Sequence, residues 1–176
     1  RRFLPTLLDN SAVLLLRKKA YRGPLFVSWD ITDRCNAKCI MCGRWQKQIG
    51  EELSKETKMK IIEDLAYSGV WLLSICGGEP FLDPGLKDLL LLARANGLLI
   101  NVTTNGSLIM ENLDLIEHLD FLTVSVDSAV GSVHDQFRGF PGLFDRISQG
   151  LNAACLLKKK PEIYIRCIVG KANAAS

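Results

Sequence analysis

Val70-Trp-Leu-Leu-Ser-Ile-Cys-Gly-Gly-Glu-Pro80 decides the fold. Its first seven residues are apolar almost throughout, the pattern of a strand covered on both faces. The chain then breaks on a glycine pair. Behind it, Asp83-Pro84 is an N-cap and first-turn pair that opens a helix to Asn96, and Gly97 ends that helix. Leu98–Thr104 returns as another strand. Strand, polar turn, helix and strand make the unit from which parallel sheets are built.

The same unit recurs in both directions. Upstream, Leu25–Ile31 reads as a strand, and Ser54 is the N-cap of a helix over Lys55–Ser68. Met59, Ile62, Leu65 and Ala66 share one face of that helix, and Gly69 closes it. Downstream the pattern predicts a helix over Leu108–Leu119, a strand over Phe121–Asp127, a helix over Leu143–Leu157 and a strand over Glu162–Val169. The expected fold is α/β, with a parallel sheet that curls into a full or partial barrel or stays open. Strand ends carry Thr32-Asp-Arg-Cys35, Gly77-Gly-Glu79, Thr104-Asn-Gly106 and Ser125-Val-Asp127. Those are the C-terminal ends, where α/β folds place their chemistry, so the polar groups are expected to meet at one mouth.

Composition narrows the classes. The 176 residues are 48% hydrophobic and 7% aromatic, enough to bury a core and unlike a disordered chain or a disulfide-dependent miniprotein. The net charge of +3 is concentrated at the start, where residues 1–24 hold Arg1, Arg2, Arg17, Lys18, Lys19 and Arg22 against Asp9 alone. The body is mildly acidic and has no basic, aromatic-interleaved stripe, which argues against nucleic acid as a partner. Apolar runs such as Leu89–Leu92 are far too short for a membrane span, and no signal peptide is visible. Residues 1–24 read as a basic amphipathic helix carrying Leu4, Leu7, Leu8, Val13, Leu14 and Leu15. Packing on the domain is preferred for it over contact with a membrane surface. Without a starting Met, and ending just after an apolar run, the chain is expected to be a segment of a longer protein.

Three of the six cysteines form a C-x3-C-x2-C run, Cys35-Asn-Ala-Lys-Cys39-Ile-Met-Cys42, in the loop after the first strand. Clustering of that kind reads as metal or redox chemistry in a reducing cytoplasm rather than a disulfide frame. Three thiolates are one short of the four in a closed zinc site or an ordinary ferredoxin cluster, which leaves one metal open to an exogenous ligand. A zinc knuckle with a remote fourth ligand, or three unrelated core thiols, are the plainer alternatives.

Together with that run, Ile31-Thr-Asp-Arg-Cys-Asn36, Gly77-Gly-Glu-Pro80, Thr103-Thr-Asn-Gly106 and Val124-Ser-Val-Asp-Ser128 resemble the radical SAM enzymes, in order and at matching spacings over residues 25 to about 173. The likeness is greatest to the branch holding the molybdenum-cofactor GTP cyclase and the SPASM-type peptide-modifying enzymes. The resemblance implies a partial (β/α)6 barrel over residues 25–176, truncated after about five strands. It implies a 4Fe-4S cluster on Cys35, Cys39 and Cys42 whose fourth iron is chelated by S-adenosylmethionine. It also implies reductive cleavage to a 5′-deoxyadenosyl radical that abstracts a hydrogen in peptide modification or in small-molecule or lipid biosynthesis, with a flavodoxin- or ferredoxin-like electron donor. The alternative is a non-catalytic iron–sulfur or zinc module that relays electrons or binds a partner.

Residue chemistry is compatible with those roles. Gly77 and Gly78 lack a Cβ and let backbone approach a ligand. Glu79 would accept from the methionyl ammonium. Ser125 and Asp127 share a face suited to ribose hydroxyls, or are simply a strand end turning to solvent, and Thr103 and Asn105 share another. Met41 stands where the family usually has an aromatic residue beside the adenine, and is adaptable enough to pack there. Arg138 and Arg166 are candidate anion contacts. Arg166 is preferred of the two because a charge within an apolar strand wants a partner, which is the cofactor, a substrate or a nearby structural carboxylate. Cys76 reads as a small core residue, preferred, or as an extra thiol near the site, and Cys155 and Cys167 read as buried hydrophobes. The GTP cyclase's basic substrate residues fall on Ser28, Ser74 and Tyr164, which excludes a nucleoside triphosphate. A segment ending after five strands is also expected to leave a sheet edge and an apolar barrel interior uncovered.

Overall fold

The computed structural model describes residues 4, 7–8, 11, 23–46, 50–171 and 173–174. Five strands lie side by side in chain order and all in parallel: β1 Phe26–Asp30, β2 Leu72–Cys76, β3 Leu99–Thr104, β4 Phe121–Ser125 and β5 Glu162–Arg166. Helices α1 Lys55–Tyr67, α2 Leu86–Ala95, α3 Leu113–Ile116, α4 Gly131–Arg138 and α5 Leu143–Cys155 connect them. Most of the expected N-terminal helix over 1–24 lies outside the described residues; Leu4, Leu7, Leu8 and Ser11 are helical where described.

Alternation along the strands separates two environments. Leu73 and Ile75 of β2, Ile100 and Val102 of β3, and Leu122 and Val124 of β4 point outward and are fully buried. They meet Ile62 of α1, Leu89 and Leu90 of α2, and Leu143 and Ile147 of α5 in one core. Burying one such side chain contributes about 1.5–3 kcal/mol, so this layer is the main apolar drive for the fold. The alternate residues face the concave side and are largely polar: Ser28, Ser74, Asn101, Thr103, Thr123 and Ser125. Asn101 Nδ2 donates to Ser74 Oγ at 2.8 Å, and Thr123 Oγ1 donates to Asn101 Oδ1 at 2.9 Å. The interior is therefore polar toward the C-terminal strand ends, whereas Phe26, Leu72, Phe121 and Tyr164 leave an apolar surface open nearer the strand starts, so the expected apolar interior is present only in part.

Element ends differ in instructive ways. Ser54 caps α1 as expected, its Oγ accepting from Thr57 N at 3.2 Å. Asp83 does not cap a helix directly: α2 begins at Leu86, while Asp83 Oδ1 accepts from Gly85 N at 2.8 Å and Oδ2 pairs with buried Lys58. The helix expected over Leu108–Leu119 is a 3-10 turn, Met110–Asn112, followed by the four residues of α3. Asn112 leaves helical geometry at φ −127°, and its Nδ2 donates back to the Leu108 carbonyl. α4, not expected from the sequence, is a two-turn helix ended by Gly139 in the left-handed conformation.

Candidate active site

The C-terminal ends of β1–β4 open into one cavity of 440 Å³. Cys35, Cys39, Met41, Cys42, Gly77, Gly78, Thr103, Asn105, Ser125 and Arg166 all line it, so ten of the twelve expected site residues meet there. Glu79 and Asp127 do not line it; both carboxylates are buried behind the wall.

The cysteine loop is built on contacts to the next two strand ends. Gly78 N–H donates to the Thr32 carbonyl at 2.8 Å and Glu79 N–H to the Arg34 carbonyl at 2.7 Å. A Cβ on Gly77 would stand 2.5 Å from the Thr32 oxygen, and one on Gly78 2.0 Å from the Arg34 oxygen. The glycine pair is thus demanded first by close packing of two backbones, and only through that by a ligand. Asn105 anchors the loop's middle: its Nδ2 donates to Asn36 Oδ1 at 2.8 Å, while Asn36 Nδ2 donates to Ser107 Oγ at 2.8 Å. Trp45 closes the far end, its Nε1 donating to the Cys39 carbonyl at 3.2 Å.

Glu79 is completely buried. Its Oε1 accepts from Thr104 Oγ1 at 2.8 Å and from Phe81 N at 3.2 Å, and its Oε2 accepts from Asn105 N at 2.8 Å. Burial pushes its carboxyl up to about 7 despite those three donors. Asp127 is held as firmly. Its Oδ2 accepts from Arg138 Nε at 2.5 Å and its Oδ1 from Ile168 N at 2.9 Å, and its own N–H donates to His134 Nδ1 at 3.1 Å. His134 is buried, and burial followed by the nearby Arg138 charge lowers its pKa.

All three clustered thiols are free. Burial raises Cys35, and the charges of Glu79, Cys39 and Cys42 add to the rise, against a backbone hydrogen bond from Ala37. Burial also raises Cys39, opposed by the Arg138 guanidinium. Loading metal must therefore displace protons from these sulfurs. Among the described residues, no three His, Cys, Asp or Glu side chains focus on a point as ligands of a single ion do. Three thiols in one loop, one fewer than a closed zinc site needs, suit a cluster whose remaining iron takes an exogenous ligand. The cavity volume falls within the range that accommodates cofactors. The residues present fit a three-thiolate cluster with a cofactor against it.

Other assignments need correction. Cys76 is not a core residue but lines the cavity, with its Sγ 3.5 Å from both Ser28 Oγ and Ser74 Oγ. Cys155, at the end of α5, and Cys167, just past β5, are exposed rather than buried. Arg138 lines the cavity almost fully buried, whereas the preferred Arg166 lines it from an exposed position. The local mark on Arg138 is its place before Gly139 at a helix end, which it shares with other basic residues.

Residues 29–172 match the family model described as the radical SAM superfamily. The chain is 37% identical over 143 residues to an Fe-coproporphyrin III synthase of Methanosarcina barkeri, covering 78% of this chain and 35% of that protein. It is 31% identical to an AdoMet-dependent heme synthase of the same organism, covering 86% of this chain and 44% of the relative. To the mycofactocin maturase MftC of Mycobacterium tuberculosis it is 32% identical, covering 81% and 38%. The chain thus spans less than half the length of these relatives. Its fold superposes on Streptococcus suis SuiB bound to precursor peptide SuiA with a TM-score of 0.71, at 19% identity, over 84% of this chain and 34% of that one. On SuiB bound to S-adenosylmethionine the TM-score is 0.70 at 16% identity, over 96% and 45%.

Proposed function

The chain belongs to the radical SAM superfamily, and we propose that it is the cofactor-binding core of an enzyme that abstracts hydrogen from a peptide or small-molecule substrate. The observation that carries this is the convergence of Cys35, Cys39 and Cys42 with the Gly77–Gly78 turn, Thr103, Asn105 and Ser125 around one cavity. When bound, the 4Fe-4S cluster and S-adenosylmethionine supply one-electron cleavage of the sulfonium, the source of the abstracting radical.

The chain's own residues bind, orient and shield. Cys35, Cys39 and Cys42 are assigned to the cluster. Gly77 and Gly78 are assigned to the methionyl end, with Glu79 acting from behind the wall through the Thr104 and Asn105 groups it holds. Ser125 and Thr103 offer hydroxyls for the ribose, and Met41 an apolar surface for the base. Asp127 acts through Arg138, and Arg166 marks the side open to substrate. Ser28, Ser74, Asn101 and Tyr164 leave Arg166 as the single cation among the described residues lining the floor, too few for a triphosphate, which favours the peptide-modifying side of the branch over the molybdenum-cofactor cyclase. Named relatives that mature peptides or synthesise heme support a substrate of either size class. A flavodoxin- or ferredoxin-like donor and a cytoplasmic setting follow from the need to keep the thiols and cluster reduced. Among the described residues no helix is long and apolar enough to cross a membrane.

Anaerobic reconstitution tests the reading. The full chain should take up about four irons and, with reductant and S-adenosylmethionine, release 5′-deoxyadenosine. Cys39→Ala should abolish cluster assembly. Zinc uptake without iron, or full activity in that variant, would reject the assignment.

A further inference from the structure

The C-terminal end of α4 clasps the cysteine loop. Ile40 N–H donates to the Phe137 carbonyl at 3.0 Å. Gly139, at φ 58°, lies so close to Lys38 that a Cβ would stand 2.3 Å from the Lys38 oxygen. Between these two contacts, Arg138 Nη1 reaches Cys39 Sγ at 3.9 Å.

That guanidinium is fixed from behind. Its Nε donates to Asp127 Oδ2 at 2.5 Å, and the two side chains are 10% and 0% exposed. Asp127 is itself tied to Ile168 N, His134 Nδ1 and, through its carbonyl, Asn173 Nδ2 at 2.6 Å. A buried carboxylate whose lone pairs go to an arginine and a backbone N–H is occupied in aiming that arginine. The planar guanidinium fork leaves Nη1 free to face the sulfur while Nε holds Asp127.

We propose that Arg138 is a positioning residue, aimed by Asp127, that presents a charged N–H to the Cys39 sulfur of the bound cluster, raising its reduction potential and retaining its iron. The inference rests on the cluster-binding reading of Cys35, Cys39 and Cys42. Hydrogen bonds to the sulfurs and net charge near the cluster are established levers on such potentials. A fixed cation favours the reduced cluster, which carries one more negative charge, and the Asp127 carboxylate offsets part of that effect. A residual effect of about tenfold on the one-electron equilibrium is expected, equivalent to about 59 mV.

The test is a redox titration of the full chain, reconstituted anaerobically without S-adenosylmethionine, with dithionite as reductant and the reduced cluster read by electron paramagnetic resonance. In Arg138→Gln the ratio of reduced to oxidised cluster at fixed potential should fall about tenfold, and iron should be lost to a chelator several-fold faster. Arg138→Lys, which keeps the charge, should recover most of both effects. Asp127→Asn leaves one acceptor oxygen for both Arg138 Nε and Ile168 N, so the guanidinium loses its anchor and iron should be lost faster, as in Arg138→Gln. Equal midpoints across Arg138→Gln, Arg138→Lys and the unaltered chain overturn the proposal. So does an Arg138→Gln chain altered only in its affinity for S-adenosylmethionine, or an Asp127→Asn chain that holds its iron as long as the unaltered chain. An unaltered chain that takes up no cluster would instead overturn the cluster reading itself.

Discussion

Glu79 makes the cofactor-free chain lose stability as pH rises through neutrality. Its folded carboxyl sits at about 7 against an ordinary 4.5, because burial disfavours the charged form. A group with a raised folded pKa stabilises fully below its unfolded value, and that contribution is lost as pH climbs through the folded one. At about 1.4 kcal/mol per pH unit, the loss between pH 4.5 and pH 7 and above is roughly 3 kcal/mol. Glu79→Gln isolates it. The amide oxygen can keep Thr104 and Phe81, while its NH2 meets the Asn105 N–H donor to donor, costing about 1–3 kcal/mol at acid pH. Urea unfolding at pH 5 should therefore find the variant less stable, and the gap should close or reverse by pH 8. His134 works in the opposite direction, since its lowered folded pKa withdraws stability as pH falls below its ordinary 6.5. It is shared by both chains and cancels in their difference. Parallel stability curves for the two chains would mean that the Glu79 carboxyl is not the group that titrates.

Further expectations concern the scaffold. Gly78→Ala drives a Cβ into the Arg34 carbonyl, so iron uptake should collapse. Gly50→Ala, which meets nothing within 4 Å, should load normally, and equal loading of the two would refute the backbone-packing argument. Lys58→Met leaves the buried Asp83 carboxylate without its cation and should cost about 3–5 kcal/mol in chemical denaturation. Pairing it with Asp83→Asn should restore much of that, and no recovery would show that the charge was not the cause. Expressed as these 176 residues, the chain should self-associate in light scattering, because Tyr164, Ile165 and Val169 are exposed at and beyond the edge strand β5. A stable monomer at high concentration would contradict this.

Much of the site was legible because its chemistry is local. The spacing of Cys35, Cys39 and Cys42 fits within one loop, and strand periodicity alone places Thr103 and Ser125 at sheet ends on the concave face. Parallel order followed from the alternation of short apolar runs with capped helices. Ser54 and Gly69 marked the limits of α1 because capping is a contact between near neighbours in sequence.

What the sequence could not disclose depended on residues far apart along it. Glu79 looks like a ligand-facing carboxylate until Thr104 and Asn105, 25 and 26 residues later, claim its oxygens. Gly77 and Gly78 need their missing Cβ atoms because a preceding loop packs there, and only folding brings Thr32 and Arg34 to that distance. Arg138 stands 99 residues from Cys39, so no local pattern distinguishes it from any other basic residue at a helix end. Sequence alone determined which chemical groups sit at strand ends, since a two-residue period and short-range caps suffice for that. Tertiary structure alone decided which of them face the cavity and which work from behind its wall, since burial and long-range hydrogen bonds exist only once the sheet has assembled.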